Sequence, residues 1–401
     1  MKSIYEMPSH PGVFLTPLLT AINYGHLELV KALLAKEDDP TPTVLDGKER
    51  GSTALHIAAS MPATGTEDDL IVDLILERFP KIDINTLNAK GHTGLRCALR
   101  YSPTNMRGVK VLLEKGVDLD IKNHNGNNIL HTAVQMGNDE VCRLLLDYCQ
   151  PKHFRERGVT REEVPSILMR HRRTKIVQAM IEKKIDMNSI TETGSILLLA
   201  VADANLEIAS ILGKSGLVDI NKPNESDGSH AQHYLFTDQY KELSAEDATE
   251  MMTLLFKTLG MSFDVRDHRG FSPIHVAANQ NSLHFGTFLD FYGSHAQCDP
   301  DQATSCDTEY TPLHLASANG ATDICKRLIE KGANVNKASA LGDTALLLAV
   351  TYNHIRTVEF LLEHGADIAA KTNKGTTVWN CLDAIEVPEE GLREILQKYA
   401  E

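Results

Sequence analysis

The sequence predicts an all-α fold in which short helix–turn–helix units stack side by side. A four-residue motif of the type Thr-Pro-Leu-His, clearest from Thr311 to His314, returns along the chain. The copies that begin at Thr311, Thr344 and Thr377 are separated by intervals of 33 residues. A single helix pair has an apolar face that it cannot bury alone, so a repeat of this length implies neighbours packed on each unit.

The residues of the repeat suit the parts of such a helix pair. Thr311 is a good N-cap, and a proline follows it in the first helical turn, where its missing N–H is not needed. Gly332 can end the second helix with a positive φ. Second helices carry apolar residues three and four positions apart, as Val30, Leu33 and Leu34 do, so each presents one apolar stripe to a core.

We expect a single array of about eleven units over residues 1–401. The predicted units begin near residues 16, 53, 93, 128, 163, 195, 230, 272, 311, 344 and 377. The unit at 163 is inferred because the interval from 128 to 195 is two repeat lengths. Irregular insertions are predicted at 36–50, 61–69, 223–245 and 293–309, where we expect surface loops, a hinge or a partner-specific loop.

Two units lack the glycine that is expected after the second helix. Cys149 and Lys184 occupy those positions. Because glycine adopts a left-handed conformation more readily than other residues, we expect these two helix ends to close in a different way.

The repeat resembles the ankyrin repeat, a family with this period and the pattern Thr-Pro-Leu-His-x-Ala. The resemblance covers nearly the whole chain and is strongest at Gly51–Ala59, Gly126–Ala133, Gly270–Ala278, Thr311–Ala316, Gly332–Asn336 and Gly365–Ile368. It implies helix pairs with projecting hairpin loops, stacked into a curved solenoid that binds other proteins. It also implies that the motif histidines hydrogen-bond within their repeat and connect neighbouring loops; these are His56, His131, His275 and His314.

Composition opposes several other functions. The chain has 40 Lys and Arg against 54 Asp and Glu, a formal charge of −14, which disfavours nucleic acid and anionic lipid as partners. Seven cysteines without a Cys-x-x-Cys pair suit a reducing compartment. The best apolar run, 196–212, is interrupted by charged residues. We expect a protein of the cytoplasm, with the nucleus as an alternative, that is monomeric by itself.

We found no motif for catalysis, a cofactor or a metal. The pair His230 and His233 has ligand-like spacing, but His233 falls at the histidine of the repeat motif and no third ligand accompanies the pair. The run Asp267-His268-Arg269 is interpreted as a polar hairpin tip. A cysteine nucleophile paired in space with a histidine stays an alternative, because such pairs have no fixed sequence spacing.

The resemblance also indicates where a partner would bind. In the family, the two residues after the alanine-rich half of each first helix face the concave side. We interpret the corresponding positions here as partner-binding residues: Asn23, Tyr24, Arg100, Tyr101, Gln135, Met136, Arg170, His171, Asp203, Asn279, Gln280, Asn319, Thr351 and Tyr352. Aromatic and arginine side chains are common interface anchors. For the tyrosines, packing between repeats is the alternative.

A basic patch stands out in this acidic chain, with Arg170, Arg172, Arg173 and Lys175 close together. One interpretation is a contact for an acidic peptide or phosphate. The other is a solvated helix face that compensates Glu162 and Glu163.

The sequence therefore favours a non-catalytic interaction scaffold or adaptor that binds a partner protein on its concave face and hairpin tips. One alternative is an accessory factor or cryptic enzyme of a metabolic pathway, with a small-molecule site in the irregular units five to seven. A second is a structural spacer or a fragment of a longer chain. The fold alone does not decide among them.

Overall fold

The computed structural model describes residues 5–7, 10–36, 51–61, 71–101, 106–157, 162–188, 191, 194–236, 243–293 and 299–400. The chain forms two compact units, Met1–Thr191 and Glu192–Glu401, called here the N-terminal and C-terminal units. The predicted loops 36–50 and 61–69 lie outside the described residues except for Lys36 and Met61, as do 237–242 and 294–298 of the other two insertions.

The N-terminal unit begins with an antiparallel strand pair, which the all-α prediction did not include. Strands β1 (Tyr5–Met7) and β2 (His10–Leu15) pair with Tyr5 opposite Leu15. The helices that follow are α1 (Pro17–Asn23), α2 (Leu27–Leu34), α3 (Ala54–Ser60), α4 (Ile71–Arg78), α5 (Gly94–Tyr101), α6 (Met106–Glu114), α7 (Ile129–Met136), α8 (Asp139–Leu145), α9 (Pro151–Arg155), α10 (Val164–Arg170) and α11 (Thr174–Glu182).

The C-terminal unit is helical throughout its described part. It comprises α12 (Ile196–Ala202), α13 (Leu206–Lys214), a 3-10 helix (Ala231–Phe236), α14 (Ala245–Met252) with a π-helical continuation (Thr253–Thr258), α15 (Pro273–Asn279), α16 (Phe285–Gly293), α17 (Pro312–Ala318), α18 (Thr322–Glu330), α19 (Ala345–Thr351), α20 (Ile355–Glu363), α21 (Val378–Asp383) and α22 (Leu392–Ala400). The predicted all-α repeat fold is confirmed.

Each motif starts a first helix because its residues satisfy the helix end. The Thr311 hydroxyl accepts the His314 backbone N–H at 3.4 Å, and the proline at the next position needs no acceptor. First helices then pack on their neighbours, as α17 does on α15 and α19. Their apolar residues, among them Leu313 and Leu346, are buried, so the core runs between successive helix pairs.

The two unusual helix ends behave differently from each other. Lys184 adopts φ 52°, the left-handed conformation that glycine adopts elsewhere, so the prediction that this end would close in another way was wrong. The Cys149 backbone N–H bonds to the Leu145 carbonyl at 3.0 Å, and the chain continues into the additional helix α9. Pro151 at the start of α9 begins this extra helix, which has no counterpart in the repeat motif.

The irregular stretch 223–245 has a 3-10 helix where other units have an α-helical first helix. Gln232, which falls at the apolar leucine position of the motif, is buried and donates to the Ser262 carbonyl at 3.0 Å. Aromatic rings fill the adjacent core, with Phe256 stacked on Phe263 at 3.9 Å and Phe288 edge-on to Phe236 at 4.9 Å. The repeat pattern is weak here because a buried glutamine replaces the motif leucine and aromatic residues fill the adjacent core.

Candidate protein-binding surface

The motif histidines connect each repeat to the next hairpin. In the clearest unit, Nδ1 of His314 accepts the Thr311 backbone N–H at 3.1 Å, and Nε2 lies 2.9 Å from the Asp343 carbonyl. Because Nδ1 accepts an N–H, the proton must be on Nε2, which donates it to the carbonyl. We call this arrangement a histidine bridge. It holds Asp343, a hairpin residue of the following unit.

The contact of Nε2 with a hairpin carbonyl recurs in other units, although Nδ1 of His131 faces the Asn128 Oδ1 at 2.7 Å instead of a backbone N–H. Nε2 lies 2.9 Å from the His92 carbonyl for His56, 3.3 Å from the Glu162 carbonyl for His131, 2.9 Å from the Phe271 carbonyl for His233 and 2.9 Å from the Gln302 carbonyl for His275. This is the role that the resemblance implied. The histidines therefore do not converge on a single site.

Burial keeps these imidazoles neutral. It lowers the pKa of His131, His233 and His314, and it lowers the pKa of His275 to about 4. A second proton would have to sit on Nδ1, against the backbone N–H that this atom accepts in His275, His314 and His233. A neutral side chain is thus a condition of the bridge at these three histidines.

Arg96 takes the place of histidine in the third unit. Its guanidinium donates to the Thr132 hydroxyl at 2.9 Å and to the carbonyls of Ile121 and Asn127 at 3.2 and 2.9 Å. Burial lowers the Arg96 pKa to about 10, so the side chain is still charged at neutral pH. Sequence reasoning missed this bridge, although an arginine at the motif position was a visible signal.

Five of the predicted partner-binding residues form a row in the C-terminal unit. Asn279, Gln280, Asn319, Thr351 and Tyr352 lie at the ends of the first helices α15, α17 and α19. The Asn319 side-chain amide donates to Asn279 Oδ1 at 3.2 Å, and Tyr352 is 57% exposed. The structure therefore brings these residues together as a partly hydrogen-bonded, uncharged surface.

A groove of about 580 Å³ opens beside this row. Its lining comes from two hairpins and two first helices: Leu341, Asp343, Leu347, Thr351, Thr372, Asn373, Lys374, Thr376, Asn380, Cys381, Ala384 and Ile385. Leu341 is 49% exposed at its hairpin tip. Thr351 belongs to both the row and the groove, so the two features form one continuous surface, named here the inner surface.

Backbone hydrogen bonds between successive hairpins hold the groove in shape. The Asn373 N–H donates to the Leu341 carbonyl at 2.9 Å, and the Asn373 side chain donates to the Ala340 carbonyl at 2.8 Å. The histidine bridge from His314 fixes Asp343 in the same hairpin. The groove wall is therefore formed before any partner binds, which lowers the ordering cost of association.

Other predicted residues do not belong to this groove. Asn23, Tyr24, Arg100, Gln135, Met136, Arg170 and His171 end the first helices of the N-terminal unit and are exposed or half-buried; Asp203 is exposed after α12. The side chain of Tyr101 lies outside the described residues. Leu341, three residues before the motif at Thr344, lies at a hairpin tip and is not among the predicted partner-binding residues, which were all taken from the ends of first helices.

Most side chains of the basic patch form ion pairs or hydrogen bonds with other residues of this chain. Arg170 pairs with Glu162, and Lys175 lies 3.7 Å from Asp139. Arg173 donates to the Gln135 carbonyl at 3.3 Å, and its guanidinium lies where a side chain on Gly137 would point. Arg172 is exposed, with φ 49°. These contacts favour the charge-compensation interpretation over an acidic-partner contact.

The structure offers little support for a small-molecule site in units five to seven. A surface groove of about 450 Å³ between α8 and α11 is lined by charged residues that pair with each other, as Arg143 does with Glu182 at 2.5 Å. Within the described ranges, no three His, Cys, Asp or Glu side chains are grouped as metal ligands. Every described helix is too short or too polar to cross a membrane.

The fold and the repeat contacts define a helical repeat protein, and comparison with known families identifies which one. The family model for ankyrin repeats (3 copies) matches residues 6–86, 63–155 and 274–372, together more than half of the chain. The chain belongs to the ankyrin-repeat family. Ankyrin repeats are a protein–protein interaction module and generally not an enzymatic fold.

Curated relatives align over part of the chain. Human ankyrin repeat and SOCS box protein 6 is 41% identical over 81 residues, which is 18% of this chain and 19% of the relative. Rat ankyrin repeat and SAM domain-containing protein 6 is 32% identical over 87 residues, 21% of this chain and 10% of the relative. Phosphocholine transferase AnkX of Legionella pneumophila is 33% identical over 120 residues, 30% of this chain and 12% of the relative.

The chain thus covers between 10% and 19% of the length of these relatives. Their names differ in activity and in the further domains that they mention. Each of these relatives is similar to this chain over only part of its own length.

Proposed function

We propose that this protein is a non-catalytic scaffold or adaptor that holds a partner protein on the inner surface of its C-terminal unit. The observation that carries the proposal is the preformed groove of about 580 Å³ beside the row that ends in Thr351 and Tyr352. Together the groove and the row combine exposed Leu341 and Tyr352 with polar side chains, and exposed aromatic residues are common interface anchors.

The experiment compares partner capture between two matched pairs of substitutions. Leu341→Ala with Tyr352→Ala removes the two large exposed side chains of the inner surface. Leu29→Ala with Tyr148→Ala is the control, since Leu29 is 49% exposed, as Leu341 is, and both control residues lie in the N-terminal unit. Proteins captured from the native lysate are quantified for wild type and both variants.

We expect the inner-surface variant to lose at least one wild-type partner by roughly tenfold, because an interface anchor is worth about 1–2 kcal/mol or more. The control variant should retain that partner. Equal recovery by both variants would contradict the assignment of the inner surface, and loss in the control alone would move the binding site to the N-terminal unit.

We also propose that the protein works in the cytoplasm as a monomer. Cys97, Cys142, Cys149, Cys306, Cys325 and Cys381 are free thiols, which supports a reducing compartment. Light scattering after size exclusion tests the oligomeric state, and microscopy of the tagged full chain tests the location. A dimer, or a tag found outside the cytoplasm, would count against these two statements.

A further inference from the structure

One hairpin tip of the C-terminal unit has an acidic residue where seven other hairpins have glycine. Two residues before the repeat motif, seven hairpins have a glycine with φ between 66° and 81°: Gly51, Gly91, Gly126, Gly228, Gly270, Gly342 and Gly375. Before the motif at Thr311, the same position is Glu309, with φ 51°. Glutamate is strained in this left-handed conformation, whereas glycine is not.

Five other non-glycine residues, among them Arg172 and Lys184, share the positive φ, so the argument for Glu309 depends on its charge and not on its conformation. Glu309 and Asp307 are both exposed. Among the described residues, neither carboxylate is within ion-pair distance of a basic side chain. We call Asp307 and Glu309 the acidic tip.

The acidic tip adjoins the groove of the inner surface. Thr308, between the two acidic residues, accepts the Ala340 N–H at 3.0 Å, and Ala340 precedes Leu341 of the groove wall. Tyr310, the next residue after the tip, donates its hydroxyl to Asp343 Oδ2 at 2.9 Å. The hairpin that carries the tip is therefore connected to the groove at two points.

Asp343 extends the negative charge into the groove. It is half-buried and lines the groove wall. Its carboxylate accepts the Tyr310 hydroxyl, whose pKa is raised by burial and by this hydrogen bond. The phenol therefore stays protonated as the donor. Lys374 is the cation among the lining residues, and three carboxylates at and beside this end of the groove outnumber it.

We propose that the groove and the acidic tip receive a basic segment of the partner protein. A Lys or Arg side chain of that segment would bind the carboxylates of Glu309, Asp307 and Asp343, and an apolar side chain beside it would contact Leu341 and Ile385. Charge complementarity supports this occupant, since three carboxylates without a basic partner attract a cation and disfavour an acidic segment. The proposal rests on the proposed function of the inner surface.

A displayed library of short random peptides is the probe, selected on the immobilised full chain in EDTA. We expect the retained peptides to be enriched in Lys or Arg next to a bulky apolar residue, relative to the unselected library. Retained peptides without a basic excess, or no enrichment, would overturn the proposal. Binding that requires a divalent cation instead of surviving EDTA would assign the carboxylates to a metal and also overturn it.

Retained peptides are then resynthesised, and their affinity is measured through Trp379, the single tryptophan of the chain, which precedes Asn380 and Cys381 of the groove. Asp307→Asn with Glu309→Gln should weaken binding by roughly tenfold. Glu330→Gln with Glu363→Gln, which neutralises two exposed carboxylates on second helices, should change it less than about twofold. Equal affinities for the two double variants would refute a role for the tip.

Glu309→Gly separates binding from folding. Because glycine relieves the strain, this variant should have a raised thermal midpoint and a lowered peptide affinity. Unchanged affinity would exclude Glu309 from the contact. If native-partner capture is lost in Leu341→Ala with Tyr352→Ala but kept in the acidic-tip double variant, the basic-segment proposal fails while the proposed function stands.

Discussion

The two units use their charged side chains in different ways. In the N-terminal unit, the basic patch is used internally, with Arg170 paired to Glu162 and Arg173 packed over the Gly137 turn. In the C-terminal unit, Asp307 and Glu309 are exposed beside a groove. The basic patch is the more obvious feature of the sequence, yet the acidic tip is the better candidate for a contact with a partner protein. A dense group of charges is available to a partner only where the chain itself does not pair them.

The units also differ in how repeats are connected. Besides the bridges of His56 and His131, the N-terminal unit includes Arg96, a buried cation that reaches three oxygen acceptors. The described bridges of the C-terminal unit are made by His233, His275 and His314, which must be neutral. An arginine bridge is insensitive to pH near neutrality, whereas a histidine bridge is not. This difference predicts unequal responses to acid.

The largest expected effect is acid destabilisation of the C-terminal unit. In the folded protein the His275 pKa is about 4, whereas an unperturbed histidine, as in the unfolded chain, has a pKa of 6.5. The unfolded chain therefore binds the proton first, and folding stability falls as the pH drops below 6.5 until it reaches the folded-state value. For His275 alone the loss is about 3 kcal/mol. Urea unfolding followed by Trp379 fluorescence, at several pH values, measures it.

Charged side chains near His275 also affect its pKa. Arg266 lowers its pKa, and Asp267 raises it, but burial is the largest cause. His275→Gln removes the titrating group and should flatten the pH dependence. A wild-type unfolding midpoint that is constant from neutral pH to about pH 5 would contradict the neutral-bridge account.

The next largest effect concerns the arginine bridge. Arg96→Ala removes the charged donor of the Thr132 hydroxyl and of the Ile121 and Asn127 carbonyls, although Asn127 keeps the Asn123 N–H, and should cost about 3 kcal/mol. Circular dichroism during urea unfolding should detect the loss, whereas Trp379 reports on the C-terminal unit. Arg100→Ala, an exposed residue of the same helix, is the control and should cost less than about 1 kcal/mol. Similar costs for both substitutions would show that the Arg96 bridge contributes little.

The smallest effect distinguishes two neighbours in the basic patch. Arg173→Ala removes the hydrogen bond to the Gln135 carbonyl and the cover over Gly137, so we expect a loss of about 1 kcal/mol. Arg172→Ala should change stability by less than about 0.5 kcal/mol, because that side chain is exposed. The unfolding midpoints of the two variants measure the difference. A larger loss for Arg172 would reverse our assignment of the patch.

Periodicity made the fold predictable. Each motif combines an N-cap, a tolerated proline and a bridging histidine, so local and global requirements agree at the same residues. The sequence therefore indicated the helix pairs, the repeat family and the histidine role. It did not indicate the strand pair at residues 5–15 or the extra helix Pro151–Arg155, because neither has a copy elsewhere in the chain to compare with.

The candidate site was only partly predictable. The ends of the first helices follow from the repeat register, so Asn279, Asn319 and Tyr352 could be named in advance. The groove forms where hairpin residues of one unit lie opposite residues of another, as Leu341 and Ile385 do. The spacing of the motifs along the sequence does not show which residues line such a groove. Glu309 carried a readable signal, since it stands where seven other hairpins have glycine, but its positive φ is visible only in the structure.

The most direct test of partner binding in the groove is the alkylation rate of Cys381, because this cysteine lines the groove. The rate is measured on the full chain alone and with the captured partner bound, and a Leu29→Cys variant supplies a reference thiol in the N-terminal unit. We predict that the partner slows alkylation of Cys381 and leaves the reference thiol unchanged. An equal rate at Cys381 with and without the partner would contradict binding in the groove.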